Sequence, residues 1–246
     1  PGAIPMSARA WSGALVIGVG WAMLDAQIGE NDGHAHLAHQ IILGLDGAVV
    51  ITAASEITAP KGKAVLIPAG QTHAVGPKGR QTRSVYVDPR FSGVRNDLKD
   101  GPLVFLHDDV SAALRDIGNA DQARHWARMF AGRLPGSAID ARLQTAFDNA
   151  DALTSPAALA RALSLSPGRL RDIVMSDFGV PPSKLLQWLQ LLGAAKALEA
   201  SASLADAAAA GGFSDQAHFT RRLRQWFGVT PKVGLSGLEV SIDDPI

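Results

Sequence analysis

The residues best able to do chemistry lie in two separate stretches. In the first, side chains on an extended chain alternate with period two, which puts His34, His36 and Gln40 on one face and His39 on the other. Neutral imidazoles are ligands for zinc, nickel, copper or iron. They also hydrogen-bond polar effectors or one another, so a divalent metal, an organic ligand and a structural role are all open readings of this face. His39 reads as a surface or interface residue. In the second stretch, the helix after Asp215 turns Phe219 and Leu223 one way and Ala217, Arg221 and Arg224 the other, with Thr220 at the edge and Gln216 at the N-terminal end. Arginine can grip guanine through two N–H groups, and glutamine can grip adenine. Gln216, Thr220 and Arg221 therefore read as base-reading side chains, and Arg222 and Arg224 as phosphate contacts. The alternative is a solvated basic helix face.

These stretches belong to two different textures. Up to about residue 90 the 246-residue chain is rich in Val, Ile, Gly and Pro. Short apolar runs (Leu15 to Val19, Gln40 to Leu45, Ala48 to Thr52, Ala64 to Ile67) alternate with turn signals such as Glu30-Asn31-Asp32-Gly33 and Pro68-Ala69-Gly70, the pattern of a β-sandwich or barrel. Val85 to Pro89 reads as the last strand and its stop, and Phe91 to Gly101 as a boundary loop. From about residue 108 the spacing becomes helical: Asp109 to Gly118, Asp121 to Gly132 and Ser137 to Ala150 read as helices. Trp126, Met129 and Phe130 come close together there and suit either docking onto the barrel or a dimer contact.

Two later segments share one plan. Ser155, with Pro156 behind it, caps a helix; Ser164-Leu165 turns the chain; Ser166 caps a second helix with Leu170, Ile173 and Val174 inward. Ser203 with Asp206 forms an acidic capping box, Gly211-Gly212 makes the turn, and Ser214 or Asp215 caps the helix carrying Phe219, Leu223, Trp226 and Phe227. A long helix, Ser183 to Glu199, joins the two segments. Gly-Phe-Ser-Asp-Gln-Ala-His-Phe-Thr-Arg at 212–221, followed by Trp226-Phe227-Gly228-Val229-Thr230-Pro231, resembles the signature of the AraC/XylS regulators. Leu159-Ala160-Arg161, Leu165-Ser166-Pro167 and Phe178-Gly179-Val180 resemble that family's first module. The resemblance implies double-stranded DNA as partner, with two recognition helices. It also implies a homodimer, a contact with RNA polymerase, and a sensor half that binds a small-molecule or metal effector. In the first module the outward positions are Gly168, Asp172 and Met175, flanked by Arg169 and Arg171; Arg169, Arg171 and Asp172 read as DNA contacts, although the family often has arginine where Asp172 stands, and an acid there can accept from cytosine but repels phosphate. The family also often has arginine on the linker helix where Gln190 stands.

His34-Ala35-His36 and Gly62-x5-Pro68-x-Gly70-x2-His73 resemble the two motifs of the cupin superfamily, small β-barrels that often hold a metal. That resemblance implies that the His73 strand lies beside the first motif, gathering three histidines with Gln40 where the usual acid would be. Losing that carboxylate weakens divalent-ion binding.

The composition sets limits. With no cysteine, disulfides, thiolate metal sites and cysteine nucleophiles are excluded. Formal net charge is zero, so any polyanion contact must be local. The apolar run Leu15 to Leu24 is broken by Gly18 and Gly20, is too short to span a bilayer, and reads as strand; no signal peptide is evident. The expectation is an α+β protein: a cupin-like β-barrel at 1–92, a helical linker and dimerisation region at 93–152, an all-α DNA-binding domain with two helix-turn-helix modules at 153–232, and a loosely held tail at 233–246. The expected role is that of a cytoplasmic transcription regulator without membrane partner and without enzymatic activity. The competing reading is a metal-dependent cupin enzyme fused to a DNA-binding domain.

Overall fold

A computed structural model describes residues 10–88, 101–134, 138–148, 155–199 and 203–243. The apolar run at 15–24 forms two strands, because Val19-Gly20 turns the chain between β1 (Ser12–Gly18) and β2 (Trp21–Gln27). Then follow β3 (His39–Gly44), β4 (Val49–Thr52), β5 (Glu56–Ala59), β6 (Val65–Ile67), β7 (Ala74–Gly76), β8 (Gln81–Val87) and β9 (Val104–Phe105). The helical half contains α1 (Asp108–Arg115), α2 (Ala120–Ala131), α3 (Ala141–Asp148), α4 (Pro156–Ala162), α5 (Pro167–Phe178), α6 (Pro182–Glu199), α7 (Leu204–Ala210), α8 (Gln216–Phe227) and the short α9 (Pro231–Gly234), and closes with β10 (Gly237–Asp243). The α+β expectation holds. The expected domain boundaries at 92/93 and 152/153, the loop at 91–100 and the start of the helix expected from Ser137 lie outside the described residues.

Among the described residues, seven strands pair in the order β10-β1-β2-β8-β3-β6-β9 and three in the order β5-β4-β7. Period two gives the larger sheet two apolar faces. Leu24, Ala26 and Ile42 point inward to meet Val49, Ile51 and Val75 of the smaller sheet. Met23, Ile41 and Val85 point outward to a second core with Leu114, Trp126 and Phe130. β3 is buried along its whole length for this reason. The Trp126 and Phe130 rings stack 5.0 Å apart in that outer core, so they dock onto the sheet; Met129 alone of the trio is exposed.

The α1 end of this docking is held by one buried cation. Arg83 grips both carboxylate oxygens of Asp25 (2.7 and 2.6 Å) and donates to the Leu114, Arg115 and Ile117 carbonyls that end α1. Carbonyls at a helix C-terminus have no partner within the helix, and an arginine fork satisfies several at once.

Residues 237–243 of the expected tail are not loosely held, contrary to expectation. β10 pairs in parallel with β1 from Ser12↔Gly237 to Gly18↔Asp243, which fastens the C-terminal half to the barrel's sheet. Its alternating burial comes from Leu238, Val240 and Ile242. The run is short and flanked by glycine and acids, so it carries little strand signal without its long-range partner.

Candidate functional site

Both helix-turn-helix modules are built by the expected caps. The Ser155 and Ser166 side chains accept from the Ala158 and Arg169 amides; Ser203 and Asp206 close a reciprocal box; Asp215, not Ser214, caps α8. Each such cap stabilises its helix by about 1 kcal/mol. Both second helices end in a left-handed glycine, Gly179 (φ 64°) after α5 and Gly228 (φ 68°) after α8. The turn into α7's partner is tight: a Cβ on Gly211 would collide with the Gln190 carbonyl and with Ala194 of α6.

On α8, Phe219, Leu223 and Trp226 are buried while Gln216, Ala217, Arg221 and Arg224 are exposed; Thr220 and Arg222 are half-buried. On α5, Arg169, Arg171, Asp172 and Met175 are exposed. Counting from each cap, Arg221 and Asp172 occupy the same position, as do Arg224 and Met175. Two of the arginines on α8 already have partners. Arg222 donates to Gln225 (2.8 Å) along the helix. Arg224 grips the Asp32 carboxylate of the barrel at 2.6 and 2.9 Å. The Asp32 amide also donates to the Gly228 carbonyl at 2.9 Å. A Cβ at Gly228 would collide with the Asp32 carbonyl oxygen, so glycine is needed here for close approach as well as for its dihedral angles. Asp32 escaped sequence reasoning, because an acid in a turn says nothing about a helix nearly two hundred residues away.

Asp32 leads directly into the histidines. His34, His36 and His73 are buried, and one nitrogen of each lies within 4.8 Å of those of the others. His34 and His73 are joined by paired backbone hydrogen bonds (3.0 and 2.9 Å), which brings the two cupin-like motifs together. Gln40 joins from β3, with its Oε1 2.9 Å from His73 Nε2 and 3.4 Å from His36 Nε2. The expected cluster is thus assembled. His39 points to the other face as expected, but it is buried rather than at the surface, within 3.4 Å of the Ala69 amide.

The hydrogen bonds fix the tautomers. Nδ1 of His34, His36 and His73 lies 2.9, 2.8 and 2.9 Å from the carbonyls of Asp32, Ala38 and Gln71. A carbonyl only accepts, so each Nδ1 carries a proton and each Nε2 a lone pair. His73 then faces an acceptor at both nitrogens. Two N–H groups would require an imidazolium, but burial and the neighbouring His34 push its pKa down to about 3. Burial likewise lowers His34, and burial plus the charges of its two neighbours carries His36 well below the ordinary histidine range. The group stays neutral, with lone pairs and an amide oxygen turned toward one another. A divalent cation suits this donor set, since ligating imidazoles characteristically give their other N–H to a carbonyl. A turned Gln40 amide, donating to His73 and accepting from the Ser84 hydroxyl now 3.2 Å from its Nε2, would satisfy it without one.

Beside the cluster lies a cavity of about 150 Å³. Its barrel wall includes Trp21, Leu24 and Tyr86, and its roof Trp188, Leu191 and Phe227 of the helical half. Phe227 also lies 5.8 Å from the His36 ring, and Trp188 Nε1 donates to Asp88 at 3.3 Å.

Residues 159–234 match the helix-turn-helix domain family model. They are an AraC-type helix-turn-helix domain. No curated protein matches the chain in sequence. Solved structures of ToxT from Vibrio cholerae are similar over most of the length. One has 11% identity and a TM-score of 0.59, covering 87% of this chain and 97% of that one. Another, bound to an unsaturated fatty acid, has 13% identity and a TM-score of 0.56, covering 86% and 92%. A third, bound to (E)-4-(8-methylnaphthalen-1-yl)but-3-enoic acid, has 11% identity and a TM-score of 0.58, covering 87% and 97%. At such identities the likeness is one of fold: a sheet-rich N-terminal half carrying the AraC-type domain at its C-terminal side. Among the described residues no helix is long and apolar enough to cross a membrane.

Proposed function

We propose that this protein is a sequence-specific, double-stranded-DNA-binding transcription regulator whose barrel controls the AraC-type domain, acting in the cytoplasm as a homodimer. The observation that carries this is the direct attachment of α8 to the barrel, through Arg224 and Gly228 on one side and Asp32 on the other, two residues before His34 of the histidine cluster. Gln216, Thr220 and Arg221 read bases; Arg222 and Arg224 meet phosphates; Ala217 keeps the helix surface low enough to enter the groove. On α5, Arg169 and Arg171 contact the backbone and Asp172 disfavours it. The barrel supplies a regulatory input rather than a catalytic one. Asp32, the acid next to the cluster, is held by Arg224 and is not aimed at a reacting atom.

The input we favour for the cluster is one divalent transition metal (zinc, nickel, copper or iron) on Nε2 of His34, His36 and His73, with Gln40 Oε1 beside them. When bound, the metal would supply a positive charge that relieves the lone-pair contacts. This chain's own part is to fix the tautomers through the Asp32, Ala38 and Gln71 carbonyls. Zinc titration of the wild-type chain and of His73→Ala, followed by thermal unfolding, tests this. Stabilisation of the wild type alone by about 2.7 kcal/mol at a hundredfold excess over Kd is expected. Equal responses, or none, would show that Gln40 satisfies the cluster without a metal. The ligands named for the two ToxT complexes are acids; among the described residues that wall the cavity here, none is a lysine or arginine.

A further inference from the structure

Lys184 stands in the first turn of α6, the helix that joins the two modules, and its Nζ lies 5.5 Å from the centre of the Trp226 ring of α8. Trp226 is buried and packs on Trp188 of α6 with ring centres 5.3 Å apart, so the ammonium rests over a fixed aromatic face, which attracts a cation. A second cation is close by. Burial lowers the Lys184 pKa, and the Arg222 guanidinium lowers it further. Arg222 spends its hydrogen bonds on Gln225 (2.8 Å) and His218 (3.4 Å) of its own helix. Among the described residues neither Lys184 nor Arg222 has a carboxylate partner. Both are half-buried, and like charges held near one another repel until an anion sits between them. Their place on α8 selects that anion. Residues two apart on a helix point to opposite flanks, so Arg222 and Arg224 border the outward line of Ala217 and Arg221 on its two sides. A recognition helix in a major groove has a phosphate backbone on each side. The flank of Arg224 is held by an acid, Asp32; the flank of Arg222 is joined by a second cation, Lys184.

We infer that Lys184 and Arg222 form a clamp for one phosphate of the DNA backbone, so that the linker helix grips the duplex together with the second recognition helix. The inference rests on the regulator reading above and adds to it a contact, Lys184, that carries no base preference. Because the two cations come from different helices, a phosphate held by both fixes the angle at which α8 lies in the groove relative to α6.

The test uses the full chain and a duplex that the wild type selects from random sequences, with thermal unfolding to show that each variant is folded. Lys184→Gln should weaken binding several-fold at every sequence alike and lower the slope of log affinity against log salt by about 0.9, the share of one phosphate contact. Lys184→Arg keeps the charge and should keep the slope. Methylphosphonate linkages, which remove the charge of one phosphate at a time, then locate the contact. One position should weaken the wild type, and that same position should cease to matter in Lys184→Gln and in Arg222→Gln. An unchanged salt slope in Lys184→Gln, a loss of affinity confined to one base pair, or a Lys184→Gln variant still sensitive at every phosphate that matters to the wild type would each overturn the clamp. A wild type that binds no duplex overturns the regulator reading and the clamp together, whereas an unchanged Lys184→Gln beside a wild type that binds removes the clamp alone.

Discussion

The two helix-turn-helix modules are one scaffold with opposite surfaces. Each has a serine or aspartate cap, a buried aliphatic or aromatic stripe, and a left-handed glycine followed by valine at the end of its second helix. Yet the same outward position holds Asp172 in one and Arg221 in the other, and the position a turn later holds Met175 against Arg224. The second module is also the one attached to the barrel through Asp32. The scaffold is set by caps and packing, which constrain only the inner face. The outer face is free to diverge: α8 presents Arg221 and Arg224 and is tied to Asp32, whereas α5 presents Asp172 and Met175.

Charge exchange breaks the comparison most strongly. Arg221→Asp should lower DNA affinity on the order of a hundredfold or more, since a lost arginine contact alone costs about 1–3 kcal/mol and the new acid repels phosphate. Asp172→Arg should raise affinity. Mobility-shift titrations at fixed salt would read both, and no loss with Arg221→Asp or no gain with Asp172→Arg would refute the proposed difference between the two helices.

Next come the paired glycines. Gly179→Ala pays a left-handed strain of about 1–2 kcal/mol. Gly228→Ala adds a collision with the Asp32 carbonyl and should cost about 1–3 kcal/mol more. Denaturant unfolding compares them directly; equal costs would mean that α8 does not need its contact with the barrel.

Asp32→Ala should have a smaller and more selective effect. An exposed ion pair stabilises by about 0–1 kcal/mol at most, so folding should barely change. Arg224 is released for phosphate, however, and the dependence of log affinity on log salt should steepen by about 0.9. An unchanged slope would mean that Arg224 does not reach DNA.

Acid should weaken the histidine cluster that supports the second module. In metal-free protein His73 stays neutral down to about pH 3, whereas in the unfolded chain it protonates near 6.5. Between those values the unfolded state binds the extra proton, so stability is lost as pH falls from about 6.5 toward 3 and is unaffected above. His73→Gln should flatten that part of the pH–stability curve; an unchanged curve would mean the cluster is not buried and neutral.

Much of this architecture was legible in the sequence because it is local. Caps, turns and stripes at 155–228 depend on residues three to four apart, and the inward alternation of β3 on residues two apart. The meeting of His34 and His36 with His73 came from motif resemblance, and the backbone pairing at His34 and His73 bears it out. What escaped depends on distant partners. β10 is a strand only because β1 is beside it; Trp126 and Phe130 are buried only because the sheet's outer face is there. The reading of His39 as a surface or interface residue fails because a polar residue on the reverse face ordinarily meets solvent, whereas helices cover that face here. Asp32 had no signal at all.

The central claim is that α8 reads DNA under the barrel's control. Footprinting of the full chain on a sequence selected from random duplexes, at low salt, tests it most directly. The account predicts protection of two major-groove segments about one helical turn apart, with the segment under α8 lost in a folded Arg221→Asp variant. Absence of protection at any selected sequence, or a footprint that Arg221→Asp leaves intact, would contradict it.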